Sequence, residues 1–186
     1  MAGTTNSSSS HLSFSADAEV WTDFTPEQGL GENRCRRFRK IVQDYYLSNR
    51  REFDWRQSIS SYRVFVSEIM LQQTQTTRVV PKFSEFIAKF PDFEALASAP
   101  FSEVLRYWKG LGYNRRAKYL QESAAVICDL HGGGLPEDPD LLVKLPGIGP
   151  ATAASMIVFT YNIPLAFIET NIRTVFIYFF FSHRQK

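Results

Sequence analysis

"LVKLPGIGPATAASM", residues 142–156, places two glycines around an isoleucine, flanks them with prolines, and runs directly into small residues. Pro146 ends the short helical stretch Leu141–Leu145, while Gly147 and Gly149 permit backbone conformations denied to other residues. Pro150 followed by Ala-Thr-Ala-Ala-Ser suits the first turn of a new helix. The spacing predicts helix, tight hairpin, helix over residues 138–161. Without side chains at the bend, backbone N–H groups at the second helix's N-terminus can approach a phosphate, and the helix dipole favours the negative charge. Such a contact positions a nucleic acid without reading its sequence. An ordinary turn between two core helices uses the same residues, so the stretch alone leaves both readings open.

Working outward, helical spacing recurs. Tyr62, Phe65, Val66, Ile69 and Met70 fall at i, i+3, i+4, i+7, i+8, the stripe of a helix packed on a core. Phe83, Phe86, Ile87 and Phe90 repeat it and stop at Pro91. Phe101, Val104, Leu105 and Trp108 follow, entered through Ser98 and Pro100. A longer helix is predicted from about Arg115 to His131, with Ala117, Leu120, Ala124 and Ile127 inward and Gly132 taking the left-handed conformation at its end. Only "VFIYFFF", residues 175–181, is ambiguous between buried helix and buried strand. The class is all-α.

Composition bounds the rest. With 186 residues, 44% hydrophobic and 15% aromatic, the chain can bury one sizeable core. A net charge of +2 argues neither for nor against a polyanion, so the placement of cations matters. They cluster in "NRCRRFRK", residues 33–40, and in "GLGYNRRAKYL", residues 110–120; a solvated helix face is the plain alternative for each. Cys35 and Cys128 share no CxxC spacing, which gives no disulfide framework, zinc site or iron–sulfur motif and suits a reducing intracellular compartment. No apolar run reaches membrane-spanning length, and the Ser- and Thr-rich start lacks a secretory signal's pattern, predicting a disordered tail over residues 1–33. His131 reads as a structural residue at a helix end, and metal binding has no support.

Five segments together carry a resemblance. "FDWR" (53–56), "SEIMLQQTQT" (67–76), "FPDFEALASAP" (90–100), "GLGYNRRAKYL" (110–120) and "LPGIGPATAA" (145–154) resemble, in that order, the adenine DNA glycosylases of the MutY family within the helix-hairpin-helix (HhH-GPD) DNA glycosylase superfamily. The resemblance runs from about residue 36 to about residue 178. It implies the superfamily's fold: residues 34–56 as N-terminal helix and connection of a companion domain, 57–168 as a six-helix domain, and 169–186 as the start of a C-terminal helical region cut short. It also implies a monofunctional glycosylase of base excision repair, hydrolysing the N-glycosidic bond of adenine opposite 8-oxoguanine or guanine in double-stranded DNA. A monomer inside the cell, in the cytoplasm or nucleoid if bacterial, is expected.

The implied roles fall on particular residues. Glu68 matches the family's catalytic acid; by spacing it lies on the flank of its helix, off the apolar stripe. Protonating a purine ring nitrogen makes adenine a better leaving group, and a carboxylic acid kept protonated by apolar surroundings can do so near neutral pH. A second carboxylate should stabilise the cationic sugar. The family's aspartate for this task is replaced here by Glu169 in "IETNIRTV", with Asn171 matching the motif's asparagine; a helix N-cap by Thr170 or Asn171 is a compatible structural reading. Ala151 stands where relatives carry tyrosine or serine and the related glycosylase/lyases a lysine, so no amine is evident for a Schiff base. Gln72, Gln73 and Tyr113 look like residues that enter an opened duplex, and Arg115, Arg116 and Lys118 like phosphate contacts. Gly147, Ile148, Gly149, Ala151 and Thr152 form the expected backbone contact to DNA. The family's four-cysteine iron–sulfur cluster has no counterpart, so no cofactor is expected. The end at "FFFSHRQK" suggests a fragment, leaving the apolar face Phe38, Ile41, Val42, Tyr45 and Tyr46 and the tail Val175 to Phe181 partly exposed. A non-catalytic DNA-binding remnant and a glycosylase for another lesion are the alternative readings.

Overall fold

The computed structural model describes residues 29–181, so most of the expected N-terminal tail and the last five residues lie outside it. Residues 31–33, assigned to that tail from sequence, form the first turn of a helix. The described residues contain ten helical segments and no strand. They divide into two units, residues 51–168 and the residues up to 50 together with those from 169 onward.

Residues 51–168 hold α2 (Asp54–Gln57), α3 (Ser61–Leu71), α4 (Thr76–Lys89), α5 (Phe93–Ser98), α6 (Phe101–Trp108), α7 (Arg115–His131), α8 (Pro139–Leu142) and α9 (Pro150–Tyr161). Their ends follow from local chemistry. Ser60 caps α3 by accepting from the Arg63 N–H at 3.2 Å, and Asp92 caps α5 by accepting from the Ala95 N–H at 2.7 Å. Asp138 caps α8 ahead of Pro139, and Gly132, at φ 59°, closes α7. The apolar stripes meet in one core: Phe65, Met70, Phe83, Phe86, Trp108, Leu120, Ile127 and Met156 are fully buried. Phe101, expected inside, sits in the first turn of α6 and stays exposed, since the core there is already closed by Val104 and Trp108. α3 runs through this core, packed against α9, α4 and α7. The buried Tyr62 hydroxyl on α3 donates to the Phe90 carbonyl at 2.7 Å, fixing the end of α4.

The other unit holds α1 (Gly31–Asn49) and α10 (Thr170–Phe180). The "VFIYFFF" run is helical through Phe180. The Phe38 ring meets those of Phe176, Phe179 and Phe180 at 5.5, 5.4 and 5.1 Å. No residue of α1 is buried, and Val42, Tyr45, Tyr46 and Val175 are exposed. Within the first cationic cluster, Arg36 pairs with Glu32 at 2.8 Å and Lys40 with Asp44 at 3.0 Å, each at i,i+4. That is the solvated face of a surface helix.

Candidate active site

Glu68 lies on the last turn of α3, one step off the buried stripe, and its side chain is half-buried. It lines an open pocket whose walls are Trp55, Ile59, Val64, Leu71 and Phe159, with Arg56, Ser67 and Glu68 as polar members. The mostly apolar, aromatic lining suits one face of a planar ligand. Trp55 is held by Phe53, stacked at 4.7 Å, and by the edge of Phe83 at 5.2 Å. The wall of the pocket is therefore braced from behind.

The opposite helix supplies Glu68 with a partner. Ser155 on α9 places Oγ 2.5 Å from Glu68 Oε2 and 2.9 Å from the Thr152 carbonyl. A hydroxyl carries one proton, and the carbonyl can only accept. With Glu68 ionised, Ser155 donates to the carboxylate; with Glu68 protonated, Ser155 donates to Thr152 O and accepts the proton of Glu68. Both charge states are thus accommodated without moving a heavy atom. Sequence reasoning missed Ser155, Trp55 and Phe159. "FDWR" was recognised without a role for its tryptophan, and 87 positions separate Ser155 from Glu68 with no local signal.

The hairpin sits beside this pair. Gly147, at φ 74°, needs glycine: a Cβ there would lie 2.7 Å from the Tyr119 ring. Gly149, at φ −91° and ψ 170°, is ordinary extended backbone, so of the two glycines expected to permit unusual conformations only Gly147 adopts one. A Cβ at Gly149 meets nothing within 4 Å, so what its absence provides is open space over the N-terminus of α9. Ile148, expected among the DNA contacts, buries its side chain in the core, and its N–H bonds the Leu145 carbonyl at 3.3 Å. That leaves Gly149, Ala151 and Thr152 at the mouth of α9, where first-turn N–H groups lack intrahelical partners. Gln72 spans from the end of α3 to this hairpin, its Nε2 3.3 Å from the Gly147 carbonyl and 3.4 Å from Thr152 Oγ1.

Of the remaining expected contacts, Gln73, Tyr113, Arg115 and Lys118 are exposed, Tyr113 to 66%; Lys118 reaches Glu122 at 3.6 Å. Arg116 is the exception. It is only 8% exposed and cannot meet a phosphate, because both terminal nitrogens of its guanidinium are engaged inside the protein: Nη1 with the carbonyls of Ile69, Met70 and Gln72 at 3.1, 3.0 and 2.5 Å, Nη2 with Thr74 Oγ1 and the carbonyls of Leu111 and Gly112 at 2.9, 3.0 and 3.1 Å. Burial pulls this guanidinium below its ordinary pKa, opposed by Tyr113.

In the other unit, Glu169 is itself the N-cap of α10, which the sequence assigned to Thr170 or Asn171. Its Oε1 accepts from the Ile172 N–H at 2.8 Å and its Oε2 from Asn171 Nδ2 at 3.3 Å. Glutamate reaches the first-turn N–H as the shorter cap residues do. Among the described residues no group of three or more His, Cys, Asp or Glu is arranged to hold a metal ion, and no helix is long and apolar enough to cross a membrane.

Comparison with known proteins bears on this geometry. The sequence pattern of "HhH-GPD superfamily base excision DNA repair protein" matches residues 66–186. An adenine DNA glycosylase of Mycolicibacterium smegmatis is 43% identical over 132 residues, covering 70% of this chain and 45% of that protein. One of Buchnera aphidicola subsp. Baizongia pistaciae is 33% identical over 143 residues, covering 77% and 41%. The chain spans less than half the length of these relatives. Among solved structures, a thermostable thymine-DNA glycosylase superposes with a TM-score of 0.71 at 28% identity, covering 76% of this chain and 65% of that one. A trapped endonuclease III–DNA covalent intermediate gives 0.70 at 20% identity, covering 79% and 68%, a likeness of fold alone.

Proposed function

The chain belongs to the HhH-GPD superfamily of base excision DNA repair proteins, and from that premise we propose that it is a monofunctional glycosylase that removes adenine mispaired with 8-oxoguanine or guanine from double-stranded DNA, with Glu68 as the acid. The observation that carries the reading is the Glu68 carboxyl, set in an apolar pocket, hydrogen-bonded to Ser155 and adjacent to the hairpin. Relatives named adenine DNA glycosylase support the choice of base.

The reaction has a plain sequence. Adenine must leave the stack to reach Glu68. Gln73 and Tyr113 would fill the space it vacates, while Arg115, Lys118 and the N–H groups at the start of α9 hold phosphates. Trp55 and Phe159 offer faces for the purine. Glu68 gives its proton to a purine ring nitrogen, the bond from C1′ to the base breaks with its electron pair going to adenine, and the sugar is left as an oxocarbenium ion. Water adds at C1′ and loses a proton, so the products are free adenine and an abasic site. Ala151 has no amine to attack C1′, which supports hydrolysis over strand cleavage through a Schiff base. No cofactor enters any step. Acting on DNA as a monomer, the protein would work inside the cell.

One observation favours a second reading, a DNA-binding protein with impaired chemistry. Glu169, the expected second carboxylate, carries one methylene more than the family's aspartate, and its carboxylate is held at the start of α10 by Ile172 N–H and Asn171 Nδ2. Single-turnover release of adenine from a duplex holding adenine opposite 8-oxoguanine separates the two: base release supports the glycosylase, and salt-dependent binding without release selects the alternative.

A further inference from the structure

Arg116 draws together two stretches more than forty residues apart in sequence, the turn after α3 and the turn before α7. Ile69 and Met70 are among the last carbonyls of α3, which no N–H of that helix meets, and a cation there also faces the negative end of the dipole. None of the six acceptors is a carboxylate. The charge is met by oriented carbonyls and by two ring faces, Trp108 at 5.4 Å and Tyr113 at 5.6 Å. The Trp108 Nε1–H also donates to the Gly112 carbonyl at 3.0 Å, and Thr74 Oγ1 lies 3.4 Å from the Leu111 carbonyl.

The same two turns carry the residues whose backbones are held unusually. Gln73 at φ 55° and Tyr113 at φ 50° lie in the left-handed region, which long side chains avoid. Such conformations persist only where the surroundings over-determine them. Arg116 does so on both sides: its contacts to Gln72 O and Thr74 Oγ1 bracket Gln73, and those to Leu111 O and Gly112 O lead directly into Tyr113. We propose that Arg116 is a positioning residue that locks the 72–74 and 111–113 turns into one unit, so that Gln73 and Tyr113 enter a DNA duplex in fixed register. The joining of the turns stands on the contacts of Arg116, and the entry into DNA rests on the proposed function. A lysine cannot substitute, because one nitrogen with three N–H groups does not span acceptors on both sides of a planar fork.

Amide hydrogen exchange in Arg116→Lys tests this. Thr74 N–H, bonded to the Leu71 carbonyl, and Leu111 N–H, bonded to the Trp108 carbonyl, report the two turns, with Leu120 and Ile127 of α7 as controls. Exchange should quicken at both turns by at least about tenfold, with the controls unchanged. Quickening at one turn only, or at neither, overturns the proposal. If Arg116→Lys does not fold, native-state exchange in the unsubstituted protein takes its place: the Thr74 and Leu111 amides should open together at one denaturant dependence, and separate openings of the two turns overturn the proposal. In DNA binding, Arg116→Lys should keep the affinity for a fully paired duplex within about twofold, since phosphate contacts do not involve it, and lose the preference for a mispaired duplex. Equal loss on both duplexes points to general destabilisation and counts against positioning. If the unsubstituted protein shows no preference, the proposed function has failed, and the exchange measurement still decides whether Arg116 joins the turns.

Discussion

Gly147 and Gly149 sit two residues apart in one turn, yet substitution should separate their roles. Gly147→Ala combines a left-handed backbone with a contact against Tyr119, so it should destabilise the protein by about 2 kcal/mol or more in denaturant unfolding. Gly149→Ala should leave stability within about 0.5 kcal/mol and weaken duplex binding, because only the space above α9 is lost. A Gly149 variant that unfolds easily, or binds DNA normally, would contradict this division. Ser155→Ala removes a short hydrogen bond to Glu68 and should slow adenine release roughly ten- to a hundredfold, with thermal stability little changed. An unaltered single-turnover rate would remove Ser155 from the mechanism. At this scale the sequence was partly legible. Glu68 was singled out because a multi-residue motif surrounds it, whereas Ser155 was not, since its contact is with a partner on another helix. Arg116 was misread for a related reason: a cation in a basic run reads as surface charge until the unpaired carbonyls of a distant helix end are known.

Helices were the most legible elements, because apolar spacing of three and four residues needs no tertiary information. The stripes on α3, α4 and α7 fell on the core as read, and Gly132 ended α7 in the left-handed conformation. "VFIYFFF" was not decidable, since a run apolar at every position has no period; its helix is entered through the Glu169 cap and meets Phe38 of α1. Two predictions belong here. Glu169→Ala removes the side-chain cap of α10 and should cost about 1 kcal/mol in that unit, read as faster amide exchange at Ile172 and Arg173. If exchange there is unchanged, the cap contributes nothing. The tie between α3 and α4 should show in alkali. Burial, with Asp92 adding to it, pushes the Tyr62 phenol well above its ordinary value near 10. The folded protein therefore keeps a proton that the unfolded chain loses, and stability falls as pH rises above about 10. Tyr62→Phe should flatten that decline while costing about 1–3 kcal/mol at neutral pH, because the Phe90 carbonyl loses its donor. An unchanged alkaline limb in the variant would reject the assignment.

For the whole molecule, what the residues bring together is chemical before it is architectural. In residues 51–168 an acid faces an apolar pocket with a hydroxyl partner, a hairpin lies beside it, and exposed Gln73 and Tyr113 project from turns braced by one buried arginine. Membership of the HhH-GPD superfamily places the chain among base excision DNA repair proteins, and the pocket and hairpin hold groups suited to the proposed reaction. Order and spacing of the five motifs made this much readable in the chain. What spacing could not convey was which groups neutralise one another inside the fold, since that depends on contacts across tens of residues. The proposed function turns on Glu68 as the acid that releases adenine. Its most direct test is single-turnover excision from a duplex holding adenine opposite 8-oxoguanine, with alkali to reveal abasic sites, comparing the protein with Glu68→Gln. With Glu68 as the acid, base release falls by about a hundredfold or more in the variant while DNA binding and folding persist; release at an equal rate in both, or none from either when both are folded and bound to DNA, rules Glu68 out.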